Sequence, residues 1–316
     1  MSFMKMVMVD PAEVSPHSFK PKIAWNTSYN GSVGQSIQYP DRKIGAGCNM
    51  KQTQAARQLR SRIIIFTIIS VSILLLSFLH TPVIQDPAYN RFADQRMILG
   101  VQNFDDVISN APFFFVGLAG LITLARWNPN DAPQTFAESS ERWTYYILFL
   151  GVALTSFGSA YYHSAPSDNR LVWDRLPMTL VFTSLFAATI AERIDRRTGQ
   201  AILIPYVLLG LSSVIYWHFT ELRGSGDLRI YMDIQYYSIF GIILMAFLFP
   251  SRYSHSRWLV TVISAYLIAK GFEFLDLSLY RVTHAIISGH VIKHLISAAA
   301  AYMLLHMVRK RHALGP

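Results

Sequence analysis

From about residue 63 to residue 307 the chain is divided into apolar blocks of ~16–20 residues, separated by short polar connections. Eight such blocks lie at roughly 63–79, 107–125, 143–162, 176–191, 201–219, 232–249, 258–272 and 285–307. A helix rises about 1.5 Å per residue, so a block of this length can cross the hydrocarbon of a bilayer. Inside lipid every backbone N–H and C=O must be satisfied within the segment, which favours helices for blocks of this kind. The expected fold class is an all-α integral membrane protein with eight spanning helices. The 176–191 and 258–272 blocks are short and need flanking residues to span.

Composition agrees where it bears on this. Of 316 residues, 52% are hydrophobic and 15% charged, against roughly 25% charged in globular domains. The single cysteine, Cys48, excludes an intramolecular disulfide and a cysteine-based zinc site. The net charge of +9 is unevenly spread. Connections holding Arg60, Arg62, Arg126, Arg196, Arg197, Arg309 and Lys310 are richer in cations than those holding Arg91, Arg96, Arg170 and Arg223. That asymmetry implies a membrane surface rather than nucleic acid, and sets both termini in the cytosol.

Residues 1–62 are polar and rich in Ser, Gly, Pro and Asn, and are expected to form a disordered cytosolic extension. No apolar core near Met1 suggests a secretory signal.

The candidate chemistry is polar and sits at membrane depth, where such residues usually serve a purpose. His290 and His294 are four apart in GHVIKHL, which puts both imidazoles on one face of a helix. His163 ends the third block, with Ser159 one turn before it and Asp174 opening the next block. Counting eight crossings brings residues 163, 174 and 290 to one membrane face, opposite the cation-rich loops. Three histidines could hold zinc and leave a fourth position for water, as catalytic sites do. Asp174 is then the candidate general base, and Ser159 the group that contacts the water or a developing oxyanion. The expected reaction is metal-assisted hydrolysis of an amide or ester whose tails enter from the lipid.

Each residue also has a plainer reading. His163 could be an interfacial polar residue, Asp174 a cap for a helix starting near Leu176, and Ser159 a small packing residue. Lys270, Glu273 and Asp276 follow at i, i+3 and i+6. Lys270–Glu273 reads as a structural ion pair, and Lys293 as a partner for Glu273 or Asp276 or as a side chain that snorkels outward. His218 and His284 read as interfacial, and Glu192 and Asp195 as part of a solvated loop.

Ser-x3-His, then Asp on the next helix, then His-x3-His on the last, resembles the pattern of the alkaline ceramidases. That family belongs to a superfamily with adiponectin/progestin-type receptors and Per1-like proteins. The strings FADQRMILGVQNFDDVISNAPFF, FGSAYYHSAPSDNRLVWDRLPMTLVFTS, ERIDRRTG and THAIISGHVIKHL resemble its plant and bacterial branch. The resemblance covers about residues 90–310 and implies a seven-helix ceramidase-like domain, with 63–80 as an additional N-terminal transmembrane helix. It implies zinc held by His163, His290 and His294, proton transfer by Asp174, and a water or oxyanion contact by Ser159. The implied activity is hydrolysis of a ceramide-like lipid substrate, ceramide or phytoceramide, to a sphingoid base and a fatty acid. A luminal site in the endoplasmic reticulum or Golgi membrane goes with it. The same scaffold also serves receptors, so a zinc-containing receptor or lipid-binding protein is the alternative. The family's acidic calcium-binding stretch has a departure: in NFDDVISN, Asn103 stands where the family has glutamate. Asp94, Asp105 and Asp106 are the nearby oxygen donors of a type that suits calcium.

Overall fold

A computed structural model describes residues 43–130 and 134–314, with side chains throughout from residue 56. The long helix α1 (Lys43–Leu79) comes first, then α2 (Phe104–Ile108), α3 (Ala111–Ala125), α4 (Arg142–Ser164), α5 (Asp168–Arg193) and α6 (Arg196–Leu222). After α7 (Arg229–Met232) a π-helical turn, Asp233–Tyr237, leads into α8 (Ser238–Leu248). The last three helices are α9 (Trp258–Phe274), α10 (Asp276–Val282) and α11 (Gly289–Lys310). The described residues contain no β-strand.

Among the described residues seven helical segments are long and apolar enough to cross a membrane, and α9 with α10 adds an eighth if that pair, bent by 72°, is one span. The fold is therefore that of a helical membrane bundle. Two boundaries differ from the sequence expectation. The first concerns the expected disordered extension. Residues 1–42 lie outside the described residues, but 43–62 are helical. That stretch lacks an apolar stripe, yet from residue 50 onward it is rich in Lys, Gln, Ala and Arg, which are strong helix formers. The second is the start of α5. It begins at Asp168, so Asp174 lies well inside the helix and caps nothing.

Helix α1 presents Ile64, Ile68, Leu75 and Leu76 outward. It is tied to the bundle by Phe66, edge-on to Phe249 at 6.3 Å, and by the Ser77 hydroxyl, which donates to Asp233 at 2.7 Å. Association of helices in lipid rests on close packing rather than on the hydrophobic effect, so small residues at contacts matter. Gly158 on α4 is one: a Cβ there would stand 2.0 Å from the Trp173 carbonyl oxygen of α5. Gly289 is another, where a Cβ would meet the Phe272 carbonyl oxygen at 2.3 Å. These two approaches bring α4 against α5 and the start of α11 against the α9–α10 bend.

The main apolar core joins Phe149, Leu148, Phe186, Ile242, Met245 and Leu305. A second cluster of Phe92, Tyr162, Leu171, Val214, Trp217, Leu228 and Tyr231 packs the end of the bundle where the histidines lie. The opposite end is closed by polar contacts. Arg311 pairs with Glu192 and donates to the Tyr145 hydroxyl at 2.8 Å; its side chain is 1% exposed. Glu192 is thus a buried ion-pair partner on α5, which corrects its reading as part of a solvated loop. It faces the core because α5 continues two residues past the apolar block. Asp195 does lie at the surface, where it accepts from Thr198 N–H and caps α6.

Candidate metal centre and its cavity

His163 closes α4, and His290 and His294 stand on the first two turns of α11. All three are buried, and one ligand nitrogen from each can be chosen so that all lie within 4.8 Å of one another. Nε2 of His290 is 3.3 Å from Nε2 of His163, and the ring centroids are 4.7 to 4.9 Å apart. This is the one group of its kind among the described residues.

Several contacts orient the rings. The Ser109 hydroxyl lies 2.8 Å from Nδ1 of His294, which leaves Nε2 to face the other imidazoles. Such hydrogen bonds to the far ring nitrogen fix the tautomer and direction of metal-binding histidines. Asn103, at φ 49°, donates from its amide to the His163 carbonyl oxygen at 2.8 Å and holds the end of α4. Asp276 accepts from the backbone N–H of His290 at 2.8 Å and of Ala93 at 2.9 Å. Phe92 sets its ring edge-on to His163 and His290, at 4.5 and 4.6 Å between centroids. Nδ1 of His163 is buried and has no hydrogen-bond partner among the described residues. Three neutral imidazoles with their nitrogens turned to one point suit a metal ion. The arrangement is compatible with zinc.

Beside the cluster a cavity of about 400 Å³ runs into the bundle, within the range of small-ligand sites. His294, Lys293, Asp174 and Ser159 stand on its wall at the histidine end; Val152, Ile242 and Leu304 lie deeper. Leu304 is ten positions along α11 from His294, which is about 15 Å of helix. Ser159 on α4 and Asp174 on α5 stand together on this wall. Their neighbourhood follows from the α4–α5 contact at Gly158, since Ser159 is the next residue and Asp174 follows Trp173.

Three consecutive phenylalanines, Phe113, Phe114 and Phe115, stand near the start of α3 and are the aromatic residues expected to line such a cavity. Only Phe113 does so. Phe114 packs edge-on to Phe157, and Phe115 faces outward at 67% exposure, because three consecutive residues cannot share one face of a helix.

The charged groups nearby pair as the spacing suggested. Glu273 binds Lys270 and accepts from Lys293 at 3.2 Å. Lys293 Nζ also lies 2.8 Å from Nε2 of His290. Asp276 takes backbone N–H groups instead of a lysine. His284 is exposed and His218 half-buried.

The three candidate calcium ligands do not converge on a free position. Asp94 accepts from Arg96 Nε at 2.7 Å and from the Tyr280 hydroxyl at 3.1 Å, and Asp105 binds the same guanidinium. Asp106 is turned away toward Ser288, whose hydroxyl lies 3.4 Å from its Oδ1. The cation between Asp94 and Asp105 is the Arg96 guanidinium. Burial raises the Asp94 carboxyl, but hydrogen bonds from Arg96 outweigh this and hold it below the usual carboxylate range.

Sequence reasoning missed Ser109, Asn103 and Phe92 as supports of the histidines. Ser109 and Asn103 are polar residues in the string NFDDVISN, but nothing in their spacing tells which histidine they meet. Compared with protein-family models and with curated proteins, the chain matches none.

Proposed function

We propose that the chain is a zinc-dependent intramembrane amidase that hydrolyses ceramide or phytoceramide to a sphingoid base and a fatty acid. One observation carries the reading. A buried three-histidine cluster adjoins an elongated, mainly apolar cavity whose wall also holds Asp174 and Ser159. Bound there by His163, His290 and His294, zinc would polarise a carbonyl and make water nucleophilic near neutral pH.

The chain's own residues supply the remainder. Asp174 takes a proton from the attacking water and returns it to the leaving nitrogen. Ser159 donates to the oxygen that gains charge at the scissile carbonyl. An acyl chain lies along the deeper wall toward Ile242 and Leu304 and keeps water from the reacting end. In this reading the helices make eight crossings, with both ends cytosolic and the histidines on the luminal side of an endoplasmic reticulum or Golgi membrane. Arg309 and Lys310 at the end of α11 support that orientation.

The cavity by itself favours a second reading, a receptor or lipid-binding protein on the same scaffold, because a bound lipid needs no turnover. One experiment separates them. The protein is purified in detergent, its zinc is quantified, and release of sphingoid base from ceramide and phytoceramide is followed for wild type and His290→Ala. Release that vanishes with His290→Ala and with removal of zinc is expected. Bound zinc near one per chain, with no release from either lipid, would overturn ceramide hydrolysis and favour the binding reading.

A further inference from the structure

Arg175 follows Asp174 on α5 and stands on the wall of the same cavity. It is 5% exposed. Its guanidinium lies 4.1 Å from the Trp217 ring, 4.8 Å from Tyr231 and 5.6 Å from Tyr89. Nη2 donates to Gln85 Oε1 at 2.6 Å. Nη1 is buried and has no hydrogen-bond partner among the described residues. Nor does Arg175 form an ion pair with any described carboxylate, whereas Lys270 and Lys293 share Glu273 and Arg229 holds Asp227.

A guanidinium keeps its charge in proteins, and a buried charge is ordinarily paired. Aromatic faces and one neutral amide compensate this one in part. Arg175 lines the cavity next to Asp174, so a ligand there stands against the side chain that lacks a charged partner.

We propose that Arg175 is the headgroup site of the cavity, taking an anionic oxygen of an amphiphile whose acyl chain lies in the apolar part. The ligand class is an amide-linked lipid with a carboxylate or phosphate on its polar side. Trp217, Tyr231 and Tyr89 pack around the guanidinium and Gln85 fixes its rotation, so an anion in the cavity meets a held cation. The inference rests on the cavity being a lipid site, as the proposed function has it, and not on hydrolysis.

The test is binding by the purified full chain in detergent. N-palmitoylglycine and N-palmitoylethanolamine share chain and amide and differ in a terminal carboxylate against a hydroxyl. Ceramide 1-phosphate and ceramide form the second pair and distinguish a phosphate from a carboxylate ligand. Wild type should bind at least one anionic member about tenfold more tightly than its neutral partner, the size of one charge-assisted hydrogen bond. Arg175→Gln should lose that preference, and Arg175→Lys should keep part of it. Gln85→Glu leaves every side chain in place but supplies an internal anion to the guanidinium, so it too should lose the preference while melting like wild type. No preference in wild type for either pair, or a preference that survives both Arg175→Gln and Gln85→Glu, would overturn the proposal. Because binding is read without turnover, selective binding with no fatty acid release would support this site and sink the amidase reading alone.

Discussion

The Ser109 hydroxyl on the turn between α2 and α3 lies 2.8 Å from Nδ1 of His294 on α11, across 185 positions of sequence. Both groups are buried, so the contact fixes which ring nitrogen of His294 faces the cluster. Ser109→Ala should therefore weaken metal binding by about 10- to 100-fold, the usual cost of losing such a support. The helical fold should be retained. Zinc titration against a competing chelator checks this, and an unchanged affinity would show that the ring is held by packing alone.

Asp174→Asn preserves shape and removes the base. If Asp174 transfers the proton, release of sphingoid base should fall by about 10²- to 10⁴-fold while bound zinc stays near the wild-type amount. Undiminished turnover in this variant would leave the reaction without its proposed proton acceptor.

The histidine cluster was legible in the sequence because helical geometry makes the HxxxH spacing of His290 and His294 a statement about one face. Counting crossings then put His163 and Asp174 at the same membrane level. The start of α5 was not legible: SAPSDNRLVWD is polar, and hydropathy alone does not show that its helix begins at Asp168. The bend between α9 and α10 was hidden for a similar reason, since the stretch FEFLDL holds neither Gly nor Pro to mark a break. Glu192 read as solvated, because its pairing with Arg311 depends on how α5 and the end of α11 converge. The surroundings of Arg175 were hidden for the same cause, its aromatic neighbours coming from distant stretches.

Arg96 supplies the cation shared by Asp94 and Asp105, so calcium should have no structural place to fill there. Chelation with EGTA should leave the melting temperature in detergent unchanged, and a clear drop would restore a calcium site. Asp94 sets the acid response of this loop. Its carboxyl is held below its ordinary value, so its contribution is complete above about pH 4 and is lost as pH falls through the lowered folded value. Stability should be insensitive to Asp94 from neutrality to about pH 4 and should decline below that. Asp94→Asn should lower the melting temperature at neutral pH and flatten that acid limb.

Gly158 tests the contact that joins Ser159 to Asp174. A methyl group at this position meets the Trp173 carbonyl oxygen at 2.0 Å, and backbone cannot move aside as a side chain can. Gly158→Ala should force α4 from α5, at a cost of about 1–3 kcal/mol or more in stability. It should also separate the proposed base from its neighbouring hydroxyl. The expected signature is a loss of turnover larger than the loss of bound zinc, since the α11 histidines stay in place. A variant with wild-type melting and activity would mean that the two helices are not packed this closely.

The pair of Glu192 and Arg311 closes the end of the bundle remote from the histidines, and its effect should be confined to stability. Removing one member of a buried ion pair strands the other charge, which typically costs about 3–5 kcal/mol. Glu192→Gln and Arg311→Met should each lower the melting temperature strongly. The double variant should recover part of the loss, because neither charge is then left alone. Tyr145 argues for a partial recovery, since its hydroxyl donates to Glu192 at 2.6 Å and accepts from Arg311, and it loses both partners. Bound zinc per folded chain should be the same in all three variants. If the double variant is no more stable than the worse single one, the two side chains act independently and the ion pair is not what closes this end.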